Sequence, residues 1–221
     1  MRKGDEKMTG IEKPEFPYPV IELDRVPYTN EITAVTERIK QRTGKGLGIA
    51  RHTDYRRWAY VQELISTPDS LLDVGVGAGQ FINATAMSGQ IPKIVGADIA
   101  VHSSFERYVD NYDFVISNIT DFSCFEDNEF SATVCMEVVE HLPDGIMEKG
   151  IEQLRRVTKE KLYMSVPFEE PEPIYHGHYQ RYTQERLEKL FPDAEIALMY
   201  SRKAAAVSPG YCPIALIIES F

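Results

Sequence analysis

The sequence is short of the features that mark secreted, membrane-bound or metal-clustered proteins. Its three cysteines, Cys124, Cys135 and Cys212, are scattered, without the paired spacing of a disulfide framework or a zinc cluster. Such usage suits a reducing compartment. No stretch approaches the ~20 apolar residues that span a bilayer. The opening Met1-Arg2-Lys3-Gly4-Asp5-Glu6-Lys7 has no apolar run behind it, so no signal peptide is expected. Together these absences predict a cytoplasmic protein with no membrane partner.

Positive charge is also scarce. The chain has 24 Lys and Arg against 34 Asp and Glu, a net charge of −10. The deficit is uneven: residues 1–60 hold twelve basic and nine acidic side chains, the remainder twelve and twenty-five. Phosphate affinity needs clustered Lys and Arg. An acidic body therefore disfavours nucleic acid as a partner and leaves a small-molecule substrate as the expectation. The stretch Arg38–Arg57 is the exception, with seven basic residues against Asp54 alone, and reads first as a solvated helix face.

What the sequence does contain is an ordinary globular core. Its 221 residues are 43% hydrophobic, enough for one domain with elaborations. The chain is organised around Leu71-Leu72-Asp73-Val74-Gly75-Val76-Gly77-Ala78-Gly79. This reads as a buried strand, a tight turn and a helix from Gln80. Glycines let backbone approach a ligand where a Cβ would collide, and the helix aims its first amides at the same place. A dinucleotide fingerprint G-x-G-x-x-G begun at Gly75 needs glycine at position 80, which is Gln80. Twenty-five residues after Asp73, a second apolar strand ends in Asp98. A carboxylate there can accept hydrogen bonds from both hydroxyls of an adenosine ribose.

From Ser70 onward strands and helices alternate, which implies a mostly parallel sheet with helices on both faces. Strands are expected at Leu71–Val74, Lys93–Ile99, Phe114–Ser117, Ala132–Met136, Lys161–Val166, Glu195–Tyr200 and Pro213–Glu219. A polar helix is expected near His102–Asp110, and others over Gly145–Thr158 and, with Thr183 as cap, Thr183–Phe191. The last two strands have no expected helix between them and read as an antiparallel hairpin. Ahead of the sheet, a helix capped by Asn30 and a second capped by Thr53 or Asp54 carry apolar stripes. Phe16–Ile21 reads either as an extended segment across the domain or as a tail. The division expected is residues 1–67 as an N-terminal extension on the lid or substrate side, and 68–221 as the cofactor domain.

The D-x-G-x-G-x-G turn after an apolar strand, with the later Asp98, resembles motif I and its partner acid in the class I S-adenosylmethionine-dependent methyltransferases. The segment Met136-Glu137-Val138-Val139-Glu140-His141-Leu142 resembles the E-V-L-E-H-L run of the type-11 and type-23 small-molecule groups. Gly177-His178-Tyr179-Gln180-Arg181-Tyr182-Thr183 resembles their G-H-x-x-x-Y-T segment. The resemblance covers about Leu71 to Phe221. It implies a seven-stranded, doubly wound Rossmann-like α/β fold with the antiparallel C-terminal hairpin. It implies S-adenosyl-L-methionine as cofactor, with Asp73, Gly75, Gly77 and Gly79 at its methionine part, Asp98 at its ribose and Ile99 on its adenine. At the adenine amine the resemblance points to Asn118, with Ile119 beside it and Asp121 as the other candidate. Arg51, or Arg56, would meet the cofactor carboxylate.

Glu137 falls at a strand's carboxyl end, where ligands of such sheets bind. His141 follows one turn later and reads either as a base or as a loop brace. Carboxylate, carboxylate and imidazole within five residues also suit a divalent metal, with His176 or His178 as a further ligand, as in RNA 3′-end methyltransferases. The expectation is no metal. The function expected is methyl transfer to O or N of a small polar acceptor. The alternatives are a metal-assisted RNA-end methyltransferase and a noncatalytic cofactor-binding module.

Overall fold

The computed structural model describes residues 15–45 and 48–221. Its elements run β1 (Val20–Glu22), α1 (Asn30–Thr43), α2 (Ile49–Ile65), β2 (Ser70–Val74), α3 (Gln80–Met87), β3 (Lys93–Asp98), β4 (Asp113–Ile116), β5 (Phe130–Met136), α4 (Ile146–Val157), β6 (Thr158–Pro167), α5 (Gln184–Leu190), β7 (Glu195–Tyr200), α6 (Arg202–Val207) and β8 (Ile214–Ser220). One sheet takes them in the order β1-β7-β8-β6-β5-β2-β3-β4. All neighbours are parallel except β8, which runs antiparallel to both β6 and β7.

β2 is buried at every residue and β5 at every residue but Met136, because both faces are covered. Alternation then divides each strand between two cores. Leu72 and Cys135 face the layer of α4 and α5, with Met147, Ile151, Leu154 and Leu187. Leu71 and Val134 face the layer of α1, α2 and α3, with Val35, Val61 and Ile82. The sheet reverses its winding at β2, with β3 on one side and β5 on the other. That switch point opens a crevice outside the carboxyl ends of the strands.

Five local expectations are corrected. First, an eighth strand exists: β1 pairs parallel with β7 at the sheet edge, taking in Val20 and Ile21 from the end of the Phe16–Ile21 stretch. Second, no helix forms over 102–110. The side chain of Asn83 on α3 takes the backbone hydrogen bonds there instead, donating to Glu106 O (2.6 Å) and accepting from Tyr108 N (2.7 Å). Third, α6 lies between the last two strands, capped by Ser201 Oγ, which accepts from Ala204 N (3.1 Å). Ser201-Arg-Lys-Ala-Ala-Ala carried that signal as a cap before good helix formers.

The other two corrections are caps. Thr29, not Asn30, caps α1, its Oγ1 accepting from Ile32 N (3.2 Å). The second helix starts at Ile49, which puts Thr53 and Asp54 inside it. Thr183 caps α5 as expected, accepting from Arg186 N (3.3 Å). Among the described residues no helix is long and apolar enough to cross a membrane.

Candidate functional site

β2 ends in the glycine turn because the next residues need dihedrals that L side chains resist. Gly75, Gly77 and Gly79 have φ of +77°, +55° and +87°. Gly75 N donates to Ala97 O (2.8 Å), fastening the turn to β3. A Cβ on Gly75 would lie 2.2 Å from Val138 Cγ2, so the turn packs directly on the segment after β5. At Gly77 a Cβ would meet nothing nearer than Gly75 O at 3.9 Å. Gly77 N donates to Asp98 Oδ2 (2.9 Å), so the second-strand acid also braces the turn. Beside Asp98, Ile99 is 71% exposed, an apolar side chain waiting for a cover.

The adenine candidates are split by the fold. Ile119 is buried in the core under Gly150. Asn118 is exposed, and its Oδ1 accepts from Thr120 N and Thr120 Oγ1, both at 3.0 Å. Its acceptor thus serves its own turn, as does that of Asp121, which accepts from Ser123 N (3.2 Å).

Asp73 is buried with Oδ2 unpartnered. Burial, then the charge of Asp98, pushes its carboxyl up to about 7.

On the other side of the switch point, Glu137 takes φ +55°. Its Oε1 accepts from Ser165 Oγ (3.0 Å), and its Oε2 pairs with Arg57 Nη1 (3.2 Å). Arg57, from α2, also reaches Asp54 Oδ1 (3.3 Å) and keeps a buried, unpartnered Nε. Burial pulls its guanidinium down, but Glu137, Asp54 and Glu140 outweigh that and raise it. Glu140 is 0% exposed, with both carboxylate oxygens unpartnered. Burial first, then Glu137, raises it well above the usual carboxylate range.

The loop before α5 is pinned over this segment. Tyr179 N and Gln180 N both donate to Glu140 O (2.8 and 3.2 Å), and Gln180 Nε2 donates to Leu142 O (2.7 Å). His141 therefore meets His178, their rings 4.8 Å apart, and His141 Nδ1 lies 2.8 Å from Gly177 O. A carbonyl only accepts, so in that contact Nδ1 carries the proton and a neutral ring keeps its lone pair on Nε2. His178 Nδ1 pairs with Glu170 Oε2 (2.7 Å).

A cavity of about 640 Å³ opens here, lined by residues that include Asp54, Arg57, Glu137, Glu170, Tyr175 and His178. The loop cluster around His178 was legible in the sequence. Arg57, Glu170 and the α6 wall of this cavity were not. Nothing local distinguishes Arg57 from Arg56, whose Nη1 instead holds the carbonyls of Leu23, Asp24 and Val26. The Arg51 side chain lies outside the described residues.

Residues 71–161, from the first central strand to β6, match the family model described as a methyltransferase domain. Over this segment the chain is similar to the class I S-adenosylmethionine-dependent methyltransferases. Solved methyltransferases share the fold. A 1,6-didemethyltoxoflavin-N1-methyltransferase from Burkholderia thailandensis, bound to its substrate and S-adenosylhomocysteine, is 15% identical, covering 88% of this chain and 91% of its own, with a TM-score of 0.60. The N-methyltransferase NodS of Bradyrhizobium japonicum is 15% identical over 76% of this chain and 96% of its own, with a TM-score of 0.59. The methyltransferase domain of a bacterial Hen1 is 15% identical over 76% of this chain and 100% of its own, with a TM-score of 0.58. No curated protein matches the sequence.

In this protein the state of Asp73 makes stability depend on pH. Its folded pKa of about 7 lies above the ordinary carboxyl value of 3.8, so the folded protein holds a proton that the unfolded chain releases. Raising the pH from about 4 to 7 then favours unfolding, by up to about 4 kcal/mol at 1.36 kcal/mol per unit. Asp73→Asn should match the wild type near pH 4 and exceed it increasingly toward pH 7.5, read by denaturant unfolding without cofactor. A difference that is constant across that range would contradict the assignment.

Proposed function

We propose that the chain transfers a methyl group from S-adenosylmethionine to oxygen or nitrogen of a small polar acceptor. The observation that carries this is adjacency. The glycine turn packs on Val138, and the preceding residue, Glu137, lines the cavity of about 640 Å³. That volume is in the range of small-molecule pockets.

Bound at the turn, the cofactor supplies a methyl group on a sulfonium that departs as a neutral thioether. The chain has no leaving anion to stabilise, so its contribution is to hold the acceptor in line and exclude water. In this reading Asp73, Gly75, Gly77, Gly79, Asp98, Ile99 and Asn118 bind the cofactor, with Ile119 packing beneath. Glu137 stands between cofactor and acceptor, and His141 Nε2 takes a proton where the nucleophile arrives protonated. Residues 1–67 close the acceptor side, since α2 supplies Asp54 and Arg57 to the cavity wall.

Labelled cofactor incubated with fractionated metabolite pools should yield labelled product that depends on the protein. Tight binding of S-adenosylhomocysteine with no product from any pool would favour the noncatalytic module.

A second reading, metal-assisted methylation such as that of an RNA end, is favoured by one observation. Ligand atoms of Glu140, His141 and His178 lie within 4.8 Å of one another, and the buried Glu140 carboxylate accepts no hydrogen bond, with His141 Nε2 4.0 Å from its Oε1. A carboxylate so placed needs either a proton or a cation. One carboxylate and two imidazoles suit Mn²⁺ or Fe²⁺ better than Mg²⁺. Mn²⁺ should then raise the melting temperature of the wild type by several degrees and leave Glu140→Gln unmoved. No shift in the wild type disposes of this reading.

A further inference from the structure

The cavity beside Glu137 has a charge that selects its occupant. Three carboxylates line it, those of Asp54, Glu137 and Glu170. Among the described residues the fixed cation in the lining is Arg57, already held by Asp54 (3.3 Å) and Glu137 (3.2 Å). Behind the wall stands Glu140, fully buried with both oxygens unpartnered, and Arg57 Nε is likewise buried and unpartnered. Among the described residues the lining stays net negative even with His178 protonated beside Glu170. Cys212 reports the same field, its thiol pushed up to about 12 by burial and then by Glu170 and Glu137. The rest of the wall is apolar or aromatic, including Tyr175, Ala204, Val207, Tyr211 and Ile214.

We infer that the acceptor is an amine on an apolar or aromatic body, bound in this cavity through its cationic nitrogen. The inference rests on the methyltransferase reading above and deepens it. A phosphate or carboxylate would face the three lining carboxylates there, whereas an ammonium supplies a counter-charge and N–H donors for several acceptors. Aromatic walls favour the same group through cation–π attraction. Once the nitrogen has lost its proton, the methyl transfer itself conserves charge at the site. The bound ammonium loses one proton to water, and the nitrogen lone pair forms the N–C bond. The C–S bond breaks with its electron pair going to sulfur, which moves the positive charge from sulfur to nitrogen. An acidic wall stabilises both ends of that displacement.

The test uses three probes of one shape, 2-phenylethylamine, 2-phenylethanol and phenylacetate, titrated into the full chain at pH 7 with S-adenosylhomocysteine present. The amine should bind at least tenfold tighter than the alcohol, and phenylacetate weakest. Val207 lies in the lining and is 59% exposed, so Val207→Lys leaves the fold intact while placing a cation at the cavity mouth. It should weaken the amine about three- to tenfold and leave the alcohol unchanged, with Val207→Glu doing the reverse to the amine, as charges at this range dictate. Phenylacetate or phenyl phosphate binding as well as the amine, or an amine indifferent to both variants or unbound at millimolar concentration, overturns the inference. Calorimetry with S-adenosylhomocysteine alone separates the two levels. If it binds and the amine does not, the acceptor class is wrong. If it does not bind, the methyltransferase reading itself fails.

Discussion

Gly77→Val should abolish cofactor binding while the domain remains folded. Two effects act on this residue, and the structure separates them. The dihedral, φ +55°, costs a β-branched residue roughly 1–2 kcal/mol, which lowers stability modestly. The second effect concerns space. A Cβ here meets nothing within 3.9 Å, so the unliganded protein has room for it. In the proposed function that room takes the cofactor's chain, and two γ-methyls would fill it. We expect a loss of at least a hundredfold in affinity for S-adenosylhomocysteine, with a melting temperature a few degrees lower. Gly89→Val is the control. Gly89 has φ +64° with nothing within 4 Å of its Cβ, so it takes the strain and keeps the binding. Normal affinity in Gly77→Val would remove the turn from the site. Gly75 cannot serve this test, because its side chain would strike Val138 and disturb the loop itself.

Asp98→Ala should be comparably severe for binding and mild for folding. Two ribose hydroxyls on a charged acceptor are worth roughly 1.5–3 kcal/mol each, which converts to a hundredfold or more in affinity. The variant also loses the acceptor for Gly77 N, so the turn loosens. Against that, it removes the neighbouring charge that helps to hold Asp73 protonated, a small gain in stability at neutral pH. Calorimetry would show the loss as weaker binding in a protein whose unfolding midpoint barely moves. A folded Asp98→Ala that binds S-adenosylhomocysteine like the wild type would mean that the ribose lies elsewhere.

The sheet was readable because its strands are buried on both faces. Leu71–Val74 and Ala132–Met136 are each apolar but for one residue, Asp73 and Thr133. The glycine turn was equally legible, since only glycine tolerates its three positive dihedrals. Even the meeting of His141 with the loop around His178 was implied, as both sit at carboxyl ends of strands in one sheet.

Failures of local reading arose where a side chain from elsewhere captured the backbone. Residues 102–110 have a helical look, yet Asn83 binds the amide and carbonyl that a helix would have used. Arg56 and Arg57 are neighbours in sequence and opposite in fate. One faces the strap after β1, and the other is buried among carboxylates. Adjacent positions on a helix differ by about 100° in direction, so what each meets depends on the surfaces packed around it. The sequence by itself determined the mostly parallel sheet, the glycine turn and the acid at the end of the next strand, because these rest on backbone dihedrals and on burial from both sides. Tertiary structure alone decided the cavity's charge, the orphaned Glu140 and the pairing of Glu170 with His178. Those depend on groups brought within a few ångströms from α2, β5 and the loop before α5, where burial magnifies every charge that is left unpaired.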